Sequence, residues 1–130
     1  INYFSCTAAY NQMGVKVAIE SPESRPAINE MVSAFEKRRD LVVSGLNAID
    51  GIKCLKPEST FYAFPNISSF GLSSWDFAKY LVKEHKVAVV PGNIFGKSGE
   101  GYVRLSFAAS IDQLKDGIAR IKRGLEALKR

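Results

Sequence analysis

The stretch Gly101-Tyr-Val-Arg-Leu-Ser-Phe-Ala-Ala-Ser110 constrains the fold most, because two periods meet in it. Through Phe107 the chain alternates. Val103, Leu105 and Phe107 fall on one face, and Tyr102, Arg104 and Ser106 on the other. From Ile111 the spacing changes to three and four, through Leu114, Ile118, Ile121, Leu125 and Leu128. A strand with one face to bury therefore runs into an amphipathic helix over about 111–129, with Ser110 and Gln113 spaced as a capping box. The other strand face displays a single guanidinium. Its planar fork can hold a carboxylate or phosphate through two parallel hydrogen bonds. A solvated strand charge is the simpler account of Arg104 taken alone.

Upstream, Ser5 or Thr7 is placed to cap a helix over 8–19, with Ala8, Ala9, Met13, Val17 and Ala18 as a loose apolar stripe. A turn-rich break follows. Ser24 and Pro26 open a long helix over 26–49, about 35 Å in length. Its inward set is Ile28, Met31, Val32, Phe35, Val42, Leu46 and Ile49, and Asp50-Gly51 stops it. Ile52–Leu55 reads as a short strand and Phe61–Ile67 as an aromatic one, with Pro65 marking an edge or bulge. Ser73 or Ser74 caps a helix over 75–85 with Phe77, Ala78, Leu81 and Val82 inward. Val87–Val90 is a continuous apolar strand, and a glycine-rich loop joins it to the strand at 102–107. Strands 52–55 and 61–66 are expected to pair, as are 87–90 and 102–107. The expected fold is α+β, a small and mainly antiparallel sheet with helices packed on one side.

A length of 130 residues fits one domain, 1–130, with ordinary globular fractions of 46% hydrophobic and 24% charged residues. The chain starts at Ile1, which fits a mature product, a trimmed one or a piece of a longer chain. No apolar run reaches the ~20 residues of a membrane helix, so no membrane partner is expected. The net charge is +5. The cations form no block: Lys37, Arg38 and Arg39 stand beside Glu36 and Asp40, and Lys115, Arg120, Lys122, Arg123, Lys129 and Arg130 decorate the last helix, whose C-terminal dipole favours cations. Nucleic acid is accordingly not the expected partner. Cys6 and Cys54 lie far apart and fit free thiols in a reducing compartment, hence a cytoplasmic location. His85 is the only histidine, which supports neither a zinc site nor a serine-type triad. Gly92 to Ser98 falls one residue short of a phosphate loop and leads into a strand, where such a loop must open a helix. Asp76, Glu84 and Asp112 are too scattered for an acid–base pair. Phe61, Tyr62 and Phe64 carry no interleaved cations and read as core packing. From the residues alone the chain is an α+β domain with one notable arginine.

Three stretches together resemble the C-terminal domain of class I/II aminotransferases, the fold-type I enzymes that use pyridoxal phosphate. Lys56-Pro-Glu-Ser-Thr-Phe-Tyr-Ala-Phe-Pro65 is similar to the family's Lys-Pro-x-Gly-x-Phe-Tyr-x-Phe-Pro, with Ser59 in place of the usual glycine. Val87-Ala-Val-Val-Pro-Gly-Asn-Ile-Phe-Gly96 is similar to Val-Ala-Val-x-Pro-Gly-x-x-Phe-Gly. Gly101-Tyr-Val-Arg-Leu-Ser-Phe-Ala108 is similar to Gly-x-x-Arg-Leu-Ser-Phe/Tyr-Ala. Their order and spacing agree, and the flanking helices extend the likeness over nearly the whole chain.

The resemblance implies a transaminase, aspartate aminotransferase-like, that moves an amino group between an amino acid and a 2-oxo acid. It assigns Arg104 to the substrate α-carboxylate and places Tyr62, Phe95 and Asn93 at the substrate entrance. Residues 1–25 become a connecting segment and interface helix, with Ser5 and Thr7 near the subunit interface of a homodimer. No lysine here stands in the family's pyridoxal-bearing context. The large cofactor domain is then missing, and the chain alone would neither hold pyridoxal 5'-phosphate nor turn over. Two other readings keep the same parts: a ligand- or nucleic-acid-binding module with an aminotransferase-like domain, or a fold-type I lyase.

Overall fold

The computed structural model of the protein describes residues 7–128. Ser5 and Cys6 fall outside the described residues, as do Lys129 and Arg130. The chain divides into two compact units, Ile1–Ala34 and Phe35–Arg130.

In the first unit, α1 spans Ala9–Glu20. Its N-cap is Ala8, which has no side-chain cap, so Thr7 does not fill that role. The Thr7 carbonyl instead accepts a 2.8 Å hydrogen bond from Gln12 Nε2. The long helix α2, Ser24–Asn47, begins here and continues into the second unit. Ser24 is its first residue rather than its cap. Pro26 still sits in the first turn, where an absent N–H costs nothing. The expected inward residues Ile28, Met31 and Val32 are exposed.

In the second unit, Val42 and Leu46 of α2 are buried, and Ile49 beyond them. The helix ends at Asn47, two residues before the expected stop, and Gly51 reverses the chain at φ +96°. Residues 52–55 do not form a regular strand. The Asn47 side chain takes the Cys54 backbone in the manner of a neighbouring strand. Its Nδ2 donates to the Cys54 carbonyl at 2.9 Å and its Oδ1 accepts from the Cys54 N–H at 2.8 Å. Only Lys53 bridges to the sheet, opposite Asn66.

The sheet comprises β1 (Tyr62–Ala63), β2 (Val90–Pro91) and β3 (Val103–Ser106), in the antiparallel order β1-β3-β2. The β2–β3 pair is the expected connection across the glycine-rich loop, although regular pairing begins only at Val90. Between β1 and β3 one register holds well past the regular strands. Tyr62 faces Ser106, Ala63 faces Leu105 and Asn66 faces Tyr102. Phe107 N–H donates to the Phe61 carbonyl, and Ile67 N–H to that of Gly101. The expected aromatic strand is thus present as a ladder. Pro65, opposite Val103, has no N–H to return, and this interrupts its regularity.

The register sends Ala63, Pro65, Ile67, Val103 and Phe107 to a single buried face. Val42 and Leu46 from α2, Phe77 and Leu81 from α3 (Ser74–His85) and Leu114, Ile121 and Leu125 from α4 (Ile111–Leu128) close over it. The second unit is α+β, with the C-terminal part of α2, α3 and α4 packed on one side of the sheet. Complete burial of Phe77 and Phe107 contributes about 2 kcal/mol each. Ser73 caps α3 by accepting from Asp76 N–H, and Ser110 and Gln113 form the expected reciprocal box on α4. Val82, expected inward, is exposed. His85 joins the two helices. Its ring fills the space above Gly124 and meets the Tyr80 hydroxyl at 3.1 Å, while that hydroxyl donates to the Gly124 carbonyl at 2.9 Å. Among the described residues no helix is long and apolar enough to cross a membrane.

Candidate functional site

The sheet face opposite the helices carries Tyr62, Phe64 and Asn66 from the β1 ladder and Tyr102, Arg104 and Ser106 from β3. Arg104 lies between Val90, its partner on β2, and Phe64, which the unbroken register sets opposite it on the other flank. Its guanidinium carbon is 4.2 Å from the centre of the Tyr62 ring and 4.6 Å from that of Phe95. Tyr62 comes from β1 and Phe95 from the loop after β2, so the rings approach from opposite flanks of β3. Both distances are well inside cation–π range.

The rings are themselves buttressed. Phe61 lies 4.5 Å from Tyr62, and Phe95 meets Phe64 edge-on at 6.1 Å. Phe64 stacks on Tyr102 at 5.3 Å with the planes 9° apart. Phe61 and Phe64 are therefore surface rings, 41% and 38% exposed, and not the core residues expected of them.

The loop that carries Phe95 folds as two 3-10 turns, Gly92–Phe95 and Lys97–Gly99. The Gly92 and Gly99 backbones approach so closely that a Cβ on either would overlap the other's carbonyl oxygen. Gly92 N–H also donates to the Tyr102 carbonyl at 2.8 Å. The far end of the loop is tied to the start of α3. Fully buried Ser74 accepts from Gly101 N–H at 2.9 Å, and the Glu100 carboxylate accepts from Ser74 N–H at 2.7 Å. A negative charge at a helix N-terminus is favoured by the dipole.

Among the described residues no aspartate or glutamate is ion-paired with Arg104. The carboxylates that are paired there lie elsewhere: Asp40 with Lys56 and Arg39, Asp76 with Lys79, and Asp116 with Arg120. Lys56, and after it Arg39, hold the Asp40 carboxyl below its ordinary range by hydrogen bonding. Burial pushes the Cys54 thiol up, against a smaller opposing contribution from the Phe64 backbone. Cys54 is a free cysteine, as expected of it.

Of the four residues assigned to substrate, Arg104, Tyr62 and Phe95 come together. Asn93 stands exposed in the loop, where its carbonyl accepts from Gly96 N–H, and its side chain takes no part in the cluster. Phe64, expected in the core, and Tyr102, to which no role was assigned, join the cluster. The alternation that exposed Arg104 already places Tyr102 on its face, whereas Phe64 reaches it through the register of the β1–β3 ladder.

No group of three or more metal-ligating side chains occurs among the described residues. A pyridoxal-binding lysine must be desolvated enough to hold its amine neutral. Every lysine among the described residues is exposed. These residues do not fit that cofactor.

Fold and site together define an α+β domain that presents one ring-flanked arginine on the sheet face opposite α3 and α4. Residues 2–121 match the family profile "Aminotransferase class I and II", and the chain belongs to that family. It is 42% identical over 122 residues to an aspartate aminotransferase of Pyrococcus horikoshii, covering 94% of this chain and 31% of that one. It resembles the crystal structure of a Pyrococcus protein described as protein-A1 with a TM-score of 0.91 and 40% identity, over 95% of this chain and 32% of the other. A putative aminotransferase from Clostridium difficile 630, described as PLP-bound, matches with a TM-score of 0.83 and 26% identity, over 94% of this chain and 31% of the other. The chain spans about a third of the length of these relatives.

Proposed function

We propose that the chain is the C-terminal small domain of a longer, pyridoxal phosphate-dependent aminotransferase, and that Arg104 binds the α-carboxylate of its substrates. The observation that carries this reading is the state of Arg104: a guanidinium held between Tyr62 and Phe95, on the sheet face opposite α3 and α4, with no paired carboxylate among the described residues. A bidentate grip on a carboxylate fixes two points of a small substrate and so orients its reacting end.

The cofactor is then held by another part of the enzyme, and this chain alone is inactive. The name of the Pyrococcus horikoshii relative supports aspartate as the amino acid, with a 2-oxo acid as the acceptor. The proposed whole enzyme is a cytoplasmic homodimer, in keeping with a reduced, buried Cys54.

The test is kcat/KM of the full-length enzyme carrying Arg104→Ala or Arg104→Lys. Loss of a charge-assisted two-point contact costs about 2–4 kcal/mol, a fall of about 30- to 700-fold. The fall is expected for dicarboxylic and neutral amino acids alike, because the α-carboxylate is common to both. An unchanged kcat/KM overturns the assignment.

A further inference from the structure

An arginine on a strand face samples many rotamers, and fixing its long side chain in one of them costs conformational entropy. Proteins often restrain such a residue with a carboxylate. That would also neutralise the charge and occupy the N–H edge that a ligand needs. Around Arg104 the restraint is of another kind. Tyr62 and Phe95 attract the cation through their ring quadrupoles from opposite flanks of β3. Neither ring accepts a conventional hydrogen bond from the guanidinium edge. Phe95 is in turn located by Phe64 and by the Gly92–Gly99 contact, and Tyr62 by Phe61.

We infer that Tyr62 and Phe95 are positioning residues, which hold the Arg104 guanidinium so that its N–H edge meets an incoming carboxylate already oriented. The inference rests on the reading of Arg104 as the carboxylate clamp. It differs from that reading in assigning the two rings to the arginine rather than to the substrate. Ordering the side chain before binding removes part of the cost of ordering it on binding, which is how preorganisation raises affinity. Leucine at either position is apolar and of moderate size but has no quadrupole, whereas Phe and Tyr are interchangeable in this role. The hydroxyl of Tyr62 is not required.

The experiment uses the full-length holoenzyme with Phe95→Leu, Phe95→Tyr, Tyr62→Leu and Tyr62→Phe, each alone and combined with Arg104→Ala. The readouts are KM and kcat for the amino acid, Kd for 2-oxoglutarate by calorimetry, and Tm. Each leucine variant is expected to raise KM and Kd about three- to tenfold. The aromatic exchanges stay within about twofold of the parent. With Arg104→Ala already present, the leucine substitutions have no further effect on Kd, because they act through the arginine. Phe95 is 51% exposed, so its replacement is not a core change; if Phe95→Leu fails to fold, Phe95→Met carries the same expectation.

If Arg104→Ala alone leaves Kd unchanged, the clamp reading fails. If Arg104→Ala weakens binding while the leucine variants match the parent, only the positioning role is overturned. The positioning role is likewise overturned if the leucine losses persist undiminished beside Arg104→Ala, or if the aromatic exchanges do not restore binding.

Discussion

Gly92 and Gly99 meet backbone to backbone at the base of the loop that carries Phe95, in a space that no side chain can enter. Gly92→Ala or Gly99→Ala must therefore separate the two strands of the loop. Overpacking of this kind costs about 1–3 kcal/mol, read as a lower midpoint in urea. Gly117 provides the contrast. It lies inside α4 with nothing close to the position of an added Cβ. Gly117→Ala is expected to stabilise the protein by about 0.5–1 kcal/mol, through helix propensity alone. Equal effects at the two kinds of site would contradict the packing seen at the loop base.

Asn47 uses both ends of its amide on the backbone of Cys54. Asn47→Ala removes both partners, while Asn47→Asp keeps the acceptor and loses the donor. The alanine variant is expected to lose about 1–3 kcal/mol and the aspartate variant to fall between it and the parent. Denaturant titration of the three proteins decides this. Amide exchange at Cys54 should accelerate in the alanine variant first.

That pair of bonds also explains where the sequence misleads. Ile52–Leu55 has the composition of a strand, but nothing local reveals that a side chain seven residues upstream will take its ladder partners. The helices were legible because their signals are local. Ser73 with Asp76 and Ser110 with Gln113 fix two starts, and the apolar spacing of α4 fixes its buried face. The N-terminal part of α2 misled for the opposite reason. Ile28, Met31 and Val32 repeat correctly, but periodicity tells which face is apolar and not whether anything covers it. At the site, alternation gave the face of Arg104. The ring contacts depend on a register and a loop path that the sequence does not display. The placement of Phe95 was accessible only through likeness to a family.

Thr60 has φ +69°, the left-handed region, immediately before the aromatic ladder. A β-branched side chain is disfavoured there by roughly 1–2 kcal/mol, and glycine is not. The strain lies one residue after Ser59, the position where the related motif has glycine. Thr60→Gly is expected to gain stability, offset in part by the greater freedom of glycine in the unfolded chain, for a net of up to about 1 kcal/mol. Thr60→Val, which retains the branch, should show no gain. A glycine variant less stable than the parent would mean that Thr60 is held by something other than its backbone.

Asp40 bridges α2 to the segment after Cys54 by its contact with Lys56 at 2.9 Å. Because Lys56 is the leading cause of its lowered pKa, Lys56→Ala should raise the Asp40 titration midpoint more than Arg39→Ala does. Carboxyl-detected NMR titration measures both. The stabilisation is present above the unfolded-state pKa and is lost as pH falls through the folded one. Asp40 is on the surface, so the effect should diminish in high salt.

Cys54 gives the opposite dependence. Its thiol is buried, and Sγ lies 3.6 Å from the Leu55 carbonyl, which accepts from the protonated form. Burial raises its pKa above the ordinary 9.0. The folded protein thus keeps this proton to a higher pH than the unfolded chain does. Below the unfolded pKa the contribution to stability is whole. It declines as pH rises through the folded value, with a slope of at most about 1.4 kcal/mol per pH unit. Urea unfolding from pH 7.5 to 10.5 should show the parent losing stability faster than Cys54→Ala, so that the two curves converge at high pH. The same shift keeps the thiolate scarce, so iodoacetamide should label Cys54 much more slowly in the folded protein than in urea at pH 8. Parallel stability curves, or equal labelling rates, would show that Cys54 is not held as a buried thiol.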